Sequence, residues 1–187
     1  MNHVEHPGES VGGLAELVGA AQAGDRDALA ALLERAAPVA AALARAACSK
    51  VTEAEDALQD SLLEVCTSLP RLADHRAFWP WLRQVVLHTV ADRRRRRAVR
   101  REVRLEEATC APEAPGAPEK AEGLRELREA LAQLEPEDQE MLGLRHEAGL
   151  SLAEIAAATG RSLRAVESRL FRARQLLRRR LARSLRP

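Results

Sequence analysis

The chain has 187 residues, 46% of them hydrophobic but only 2% aromatic, with no Tyr and 30% charged residues. That balance, with abundant Ala, Leu, Glu and Arg, points to an all-α protein with small cores of Leu, Val and Ala. No apolar run approaches the roughly 18 residues of a membrane span, and the three cysteines (Cys48, Cys66, Cys110) are too scattered for a disulfide scaffold or zinc ribbon.

A soluble protein of the reducing cytoplasm is therefore expected. Neither a Gly-rich phosphate loop, a nucleophile elbow nor a metal-ligand pattern is present, so no enzyme activity, metal or cofactor is expected. The net charge of +1 conceals a strong pattern. Residues 1–82 carry −6, 83–104 carry +7, 105–160 carry −9 and 161–187 carry +9. Two basic blocks, each closing a helical segment, imply two contacts with a polyanion, and the acidic blocks imply surfaces that face a protein.

Residues 1–13 read as a disordered tail. Leu14, Leu17, Val18 and Ala21 make a short helix that Gly24 ends, and Asp25 caps the next, with Leu29, Leu32, Leu33 and Ala36 inward. Pro38 can begin a further helix through Val39, Leu43 and Ala47. Thr52 with Glu55 forms a capping box for a helix over 53–69, whose outer face (Glu53, Asp56, Gln59, Asp60, Glu64) is largely acidic. Pro70 breaks that helix, and 71–79 reads as a loop with a turn of helix. Pro80 then fits a first helical position, and a long helix runs from Trp81 into the Arg93–Arg97 run. An aromatic-bearing loop beside a basic helix suits single-stranded nucleic acid, because bases stack on rings while Arg tracks phosphates. Phe78 and Trp81 also suit an ordinary core.

Residues 105–121 are rich in Pro, Ala and Glu without apolar periodicity, which reads as a flexible linker between two small helical domains, 14–104 and 122–187. Beyond it, Leu124, Leu127, Leu131 and Leu134 make a helix, and Pro136 starts another through Leu144. Ser151 with Glu154 is a capping box, Leu152, Ile155 and Ala156 share a face, and Thr159-Gly160 stops that helix. Ser162 can cap a last helix with an apolar stripe (Leu163, Val166, Leu170, Phe171, Leu177, Leu181) and an Arg-rich opposite face. A short helix, a Gly turn and a longer basic helix make a helix-turn-helix, whose second helix can enter a major groove.

The stretch Leu131–Leu181 resembles region 4 of bacterial sigma factors, through Leu134 to Gln139, Gly149-Leu150-Ser151, Glu154-Ile155-Ala156, Val166 to Leu170 and Arg172-Ala173-Arg174. The N-terminal part resembles region 2, through Glu55 to Asp60, Phe78 with Trp81-Leu82, and Asp92 before the Arg run. With a Pro-rich linker where a middle domain would sit, the chain is similar to the extracytoplasmic-function (ECF) sigma factors. It departs from the pattern at His88, where the family carries Asn, and at Trp79 and Pro80.

The resemblance implies a non-catalytic subunit that binds core RNA polymerase and selects promoters. It implies that region 4 reads the −35 duplex through Arg161, Ser162, Arg164, Ala165, Glu167, Ser168, Arg169, Arg172 and Arg174. It implies that region 2 captures the melted −10 strand with the 71–79 loop and with His75, Phe78, Trp79, Trp81, Arg83, His88, Arg93 and Arg94. Glu53, Asp56, Gln59, Asp60 and Glu64 would dock on the beta-prime clamp helices, with a second contact to the beta flap. The resemblance also implies an anti-sigma factor as a partner. A helix-turn-helix regulator that is not a polymerase subunit is the alternative.

Overall fold

A computed structural model describes residues 11–103 and 118–184, and every regular element among them is helical. The first half comprises α1 (Val11–Gln22), α2 (Arg26–Ala47), α3 (Val51–Ser68) and α4 (Phe78–Val103). Two 3-10 turns, Leu69–Arg71 and His75–Ala77, join α3 to α4. The second half comprises α5 (Pro118–Ala132), α6 (Pro136–His146), α7 (Leu152–Thr159) and α8 (Leu163–Ser184).

Local signals act where the sequence places them. Asp25 accepts from the amides of Asp27 and Ala28 at the start of α2. Ser151 and Glu154 exchange both bonds of a capping box at the start of α7. Gly160 ends α7 at φ 68°, a left-handed conformation in which a Cβ is disfavoured.

Three local expectations give way. Pro38 begins no helix and lies inside α2. An interior proline costs about 3 kcal/mol, yet Ala36, Val39, Ala40 and Leu43 are all buried on one continuous helical face, which only an unbroken α2 provides. Thr52 makes no capping box, because α3 begins one residue earlier with Lys50 at its N-cap and no side-chain cap bond. That start brings Ala54, Ala57, Ser61 and Val65 inward together. The long helix starts at Phe78 rather than beyond Pro80. Pro80 costs no hydrogen bond there, since amides of a first helical turn lack intrahelical acceptors.

The linker expected over 105–121 is shorter at its C-terminal end, where 118–121 belong to α5. The remainder of that segment, with Cys110, and residues 1–10 of the expected tail lie outside the described residues, whereas residues 11–13 of that tail are helical and belong to α1.

The two halves are packed together. α6 lies on α2 and α7 on α4, so one apolar cluster runs from Leu14 through Phe78 and Leu82 to Ile155, Val166 and Leu170. Gly143 permits the closest approach, since a Cβ placed on it would stand 3.0 Å from Cβ of Ala42. Two ion pairs cross the same seam, Arg83 with Glu140 and Arg45 with Glu147. Among the described residues, no helix is long and apolar enough to cross a membrane.

Candidate nucleic-acid interface

The second helix of the helix-turn-helix buries only part of its expected apolar stripe, since Leu163 and Phe171 are 48% and 64% exposed. Val166, Leu170 and Ala173 of α8 are buried, while Arg161, Ser162, Arg164, Glu167, Ser168, Arg172 and Arg174 are exposed and Ala165 is half-buried. The Ser162 hydroxyl accepts from the Ala165 amide at 3.3 Å, a cap that leaves the first turn of α8 at the surface. Arg169 behaves differently from its neighbours. Its guanidinium reaches Asp138 at 2.7 Å and Glu137 at 2.6 Å, and Glu137 also takes Arg161 at 2.6 Å. Two arginines of the expected −35 set, Arg161 just before α8 and Arg169 within it, therefore brace this segment against the first turn of α6. Carboxylates at a helix N-terminus are favoured by the helix dipole in any case, so the sequence does not reveal this second role.

Arg174 lies within 3.3 Å of Nε2 of His146. Burial first, then the charges of Arg174 and Arg145, hold the His146 imidazole below its ordinary value of 6.5. Its neutral form can accept from Arg174 there.

The expected single-strand site is reorganised. Phe78 and Trp79 are not at a rim but in the core, at 0% and 5% exposure. Their rings meet edge to face at 5.2 Å, and Trp81 packs on Phe78 at 5.8 Å, half-buried. An apolar ring this enclosed contributes on the order of 1.5–3 kcal/mol by burial, which favours the core over an exposed position in the free protein. The Trp79 indole N–H has no hydrogen-bond partner among the described residues. His75 also turns inward, its Nε2 at 2.7 Å from Oε1 of Gln22 on α1. Arg71, Ala73, Asp74 and Arg76 form the exposed rim of the loop.

The arginines of region 2 are also engaged. Arg83 forms a two-pronged pair with Glu140 of the other half, 2.6 Å and 3.2 Å, and that hydrogen-bonded carboxylate raises the guanidinium further above its ordinary value. Arg93 bonds both Asp56 and Asp60, Arg97 bonds Glu53, and Arg94 donates to the Ala47 carbonyl. The Asp92 carboxyl lies below the carboxylate range, chiefly through its bond from Arg95 and to a lesser extent through the nearby charge of exposed His88. Within the expected docking set, Gln59 and Glu64 face solvent, joined by exposed Leu63, whereas Glu53, Asp56 and Asp60 tie α3 to α4. Periodicity placed these acids on one face correctly, but their partners lie 33 to 44 residues away in sequence.

A cleft of about 680 Å³ opens where the halves meet, lined by Ala42, Cys48, Val51, Leu131, Leu142 and Leu177 among others. Burial is the main reason that the Cys48 thiol is pushed up, partly offset by Arg94. Among the described residues, no group of three or more His, Cys, Asp or Glu is placed to hold a metal ion.

Two family models match the chain, Sigma-70 region 2 over residues 32–100 and Sigma-70 region 4 over 124–177. The ECF RNA polymerase sigma factor SigD of Mycobacterium tuberculosis is 36% identical, over 86% of this chain and 80% of its own. RNA polymerase sigma factor NccH of Alcaligenes xylosoxydans xylosoxydans is 31% identical, over 82% and 87%. Among solved structures, CnrH in complex with the cytosolic domain of CnrY superposes with a TM-score of 0.61 at 28% identity, covering 90% of this chain and 97% of that one. The sigma factor RpoE of Bartonella quintana, in complex with the anti-sigma factor NepR, shares the fold at 24% identity and a TM-score of 0.53, over 81% and 94%.

Proposed function

Because this chain belongs to the ECF sigma factors of RNA polymerase, we propose that it binds core polymerase and directs promoter-specific initiation, as a specificity subunit rather than an enzyme. The observation that carries this reading is the exposed face of α8. Arg164, Glu167, Ser168 and Arg172 lie along one solvent side while the opposite side is buried, which is what insertion into a major groove requires. In this reading they meet the −35 duplex, with Arg161, Arg169 and Arg174 placed for backbone contacts once a phosphate competes for them.

The melted −10 strand is assigned to the rim of the 69–77 loop and the exposed arginines of α4, with Phe78, Trp79 and Trp81 as the core that supports the loop. Gln59, Leu63 and Glu64 on the outer side of α3 are the first candidates for the polymerase contact. An anti-sigma partner belongs to the same reading. It is supported by the architecture shared with CnrH, which was solved bound to the cytosolic domain of another protein. A helix-turn-helix regulator outside polymerase would not need the region 2 match.

Transcription reconstituted from core polymerase, this chain and a library of bacterial promoter fragments tests the reading. Defined 5′ ends that depend on the chain are expected. Their absence across a range of salt, with the folded protein present, would overturn it.

A further inference from the structure

The loop between α3 and α4 is held from behind by one side chain. Gln22, the last residue of α1, donates through Nε2 to the carbonyls of Leu69, at 2.7 Å, and Leu72, at 2.8 Å, while its Oε1 stands 2.7 Å from Nε2 of His75. Three loop positions spaced over seven residues thus converge on one carboxamide. Its amide orientation follows from the partners, since the reverse would set an oxygen against two carbonyls. The His75 ring is enclosed on its other side by Gly19, where a Cβ would stand 3.1 Å from the ring. Asp74, between these anchors, accepts from the Arg76 amide at 3.0 Å and so shapes the turn outward.

No other residue type makes this set of bonds. Glu lacks the two donors, Lys lacks the acceptor, and Asn is one methylene short. Gln22 also lies ahead of the region 2 match, which begins at residue 32. We propose that Gln22 is a positioning residue for −10 recognition: it clasps the 69–77 loop through Leu69, Leu72 and His75, and so fixes the shape in which Arg71, Ala73, Asp74 and Arg76 meet the separated strand. His75 serves as an anchor and not as a nucleic-acid contact. This inference rests on the assignment of that loop to the −10 strand. A clasp that held the loop without touching DNA would act on base discrimination through preorganisation, with the −35 contact untouched.

Holoenzyme reconstituted with the full chain is the material for the test. It transcribes two template libraries, one randomised across the −10 element and one across the −35 element, and the transcripts are sequenced. Gln22→Leu and Gly19→Ala are compared with the wild type. Gly19→Ala adds helix propensity to α1 while its Cβ presses on the His75 ring at 3.1 Å, so its melt separates a loss of specificity from a loss of stability. Thermal melts accompany each protein. The expected result is at least a fivefold loss of enrichment at one or two −10 positions in both variants, with the −35 enrichment unchanged. If the wild type enriches −10 sequences and both variants retain that enrichment, the clasp is refuted. Equal loss in both libraries would also refute it, by showing a general defect. If the wild type enriches −35 but no −10 sequence, the loop assignment itself fails.

Discussion

Removing Glu140 should loosen the seam between the two halves. Its carboxylate takes both prongs of Arg83 at 2.6 Å and 3.2 Å, and the two side chains keep only 10% and 29% of their exposure. An exposed pair is worth about 0.2–1 kcal/mol, whereas removing one partner of a fully buried pair costs about 3–5 kcal/mol. The intermediate burial places Glu140→Ala at about 2–3 kcal/mol, because it leaves Arg83 half-buried without its acceptor. Arg83→Ala should cost less, and the double variant less than the sum, with a coupling of about 1–2 kcal/mol. Equilibrium urea unfolding gives all four values. Tryptophan fluorescence reports α4 directly, since Trp79 and Trp81 lie within its first turn. A coupling within about 0.5 kcal/mol of zero would mean that the pair does not join the halves. While the pair is closed, the Arg83 guanidinium is also withheld from any phosphate.

Other consequences can be measured separately. In a Cys110→Ser chain, a thiol reagent should label exposed Cys66 about tenfold faster than Cys48, whose thiol is raised by burial. Gly143→Leu should wedge α6 from Ala42, open the cleft and narrow that difference; an unchanged Cys48 rate would show that the seam does not guard it. His146 is held below 6.5, so its contribution to stability is complete above that pH and is lost as pH falls through the lowered value. His146→Gln should flatten the stability curve below pH 6.5, and parallel curves for the two proteins would contradict the assignment. Glu64→Lys should weaken polymerase binding without altering the urea midpoint. Asp56→Lys, by replacing one of the two carboxylates that hold Arg93 with a like charge, should instead lower stability by roughly 1 kcal/mol; equal behaviour of the two would leave their separate roles unsupported.

What was legible in the sequence was local. The Ser151–Glu154 box, the Asp25 cap and the Gly160 stop depend on residues within one turn of each other, and each forms as expected. The period of α8 foretells its buried Val166 and Leu170, but it also turns Leu163 and Phe171 inward, and both are exposed. Pro38 was misread because its cost is local while the burial that outweighs it comes from other helices. Phe78 and Trp79, both expected as strand contacts, are buried for a similar reason. Aromatic character suits a core and a stacking platform equally, and only the packing of α4 on its neighbours decides. Gln22 and Glu140 carried no pattern of any kind. Their partners are 47 to 57 residues distant, and nothing in a polar residue's immediate surroundings announces such a bond.

The contact of Ala42 with Gly143 has a consequence for how the molecule comes apart. Helices that meet through alanine and glycine approach closely yet cover few methylene groups, and each buried methylene is worth only about 0.8 kcal/mol. Cohesion at that point resides in close fit and not in greasy area. Around that point the same two helices bury Val39, Leu43, Met141 and Leu142 in the shared cluster, so the alanine–glycine contact sets how near the helices come while the larger side chains supply the apolar area.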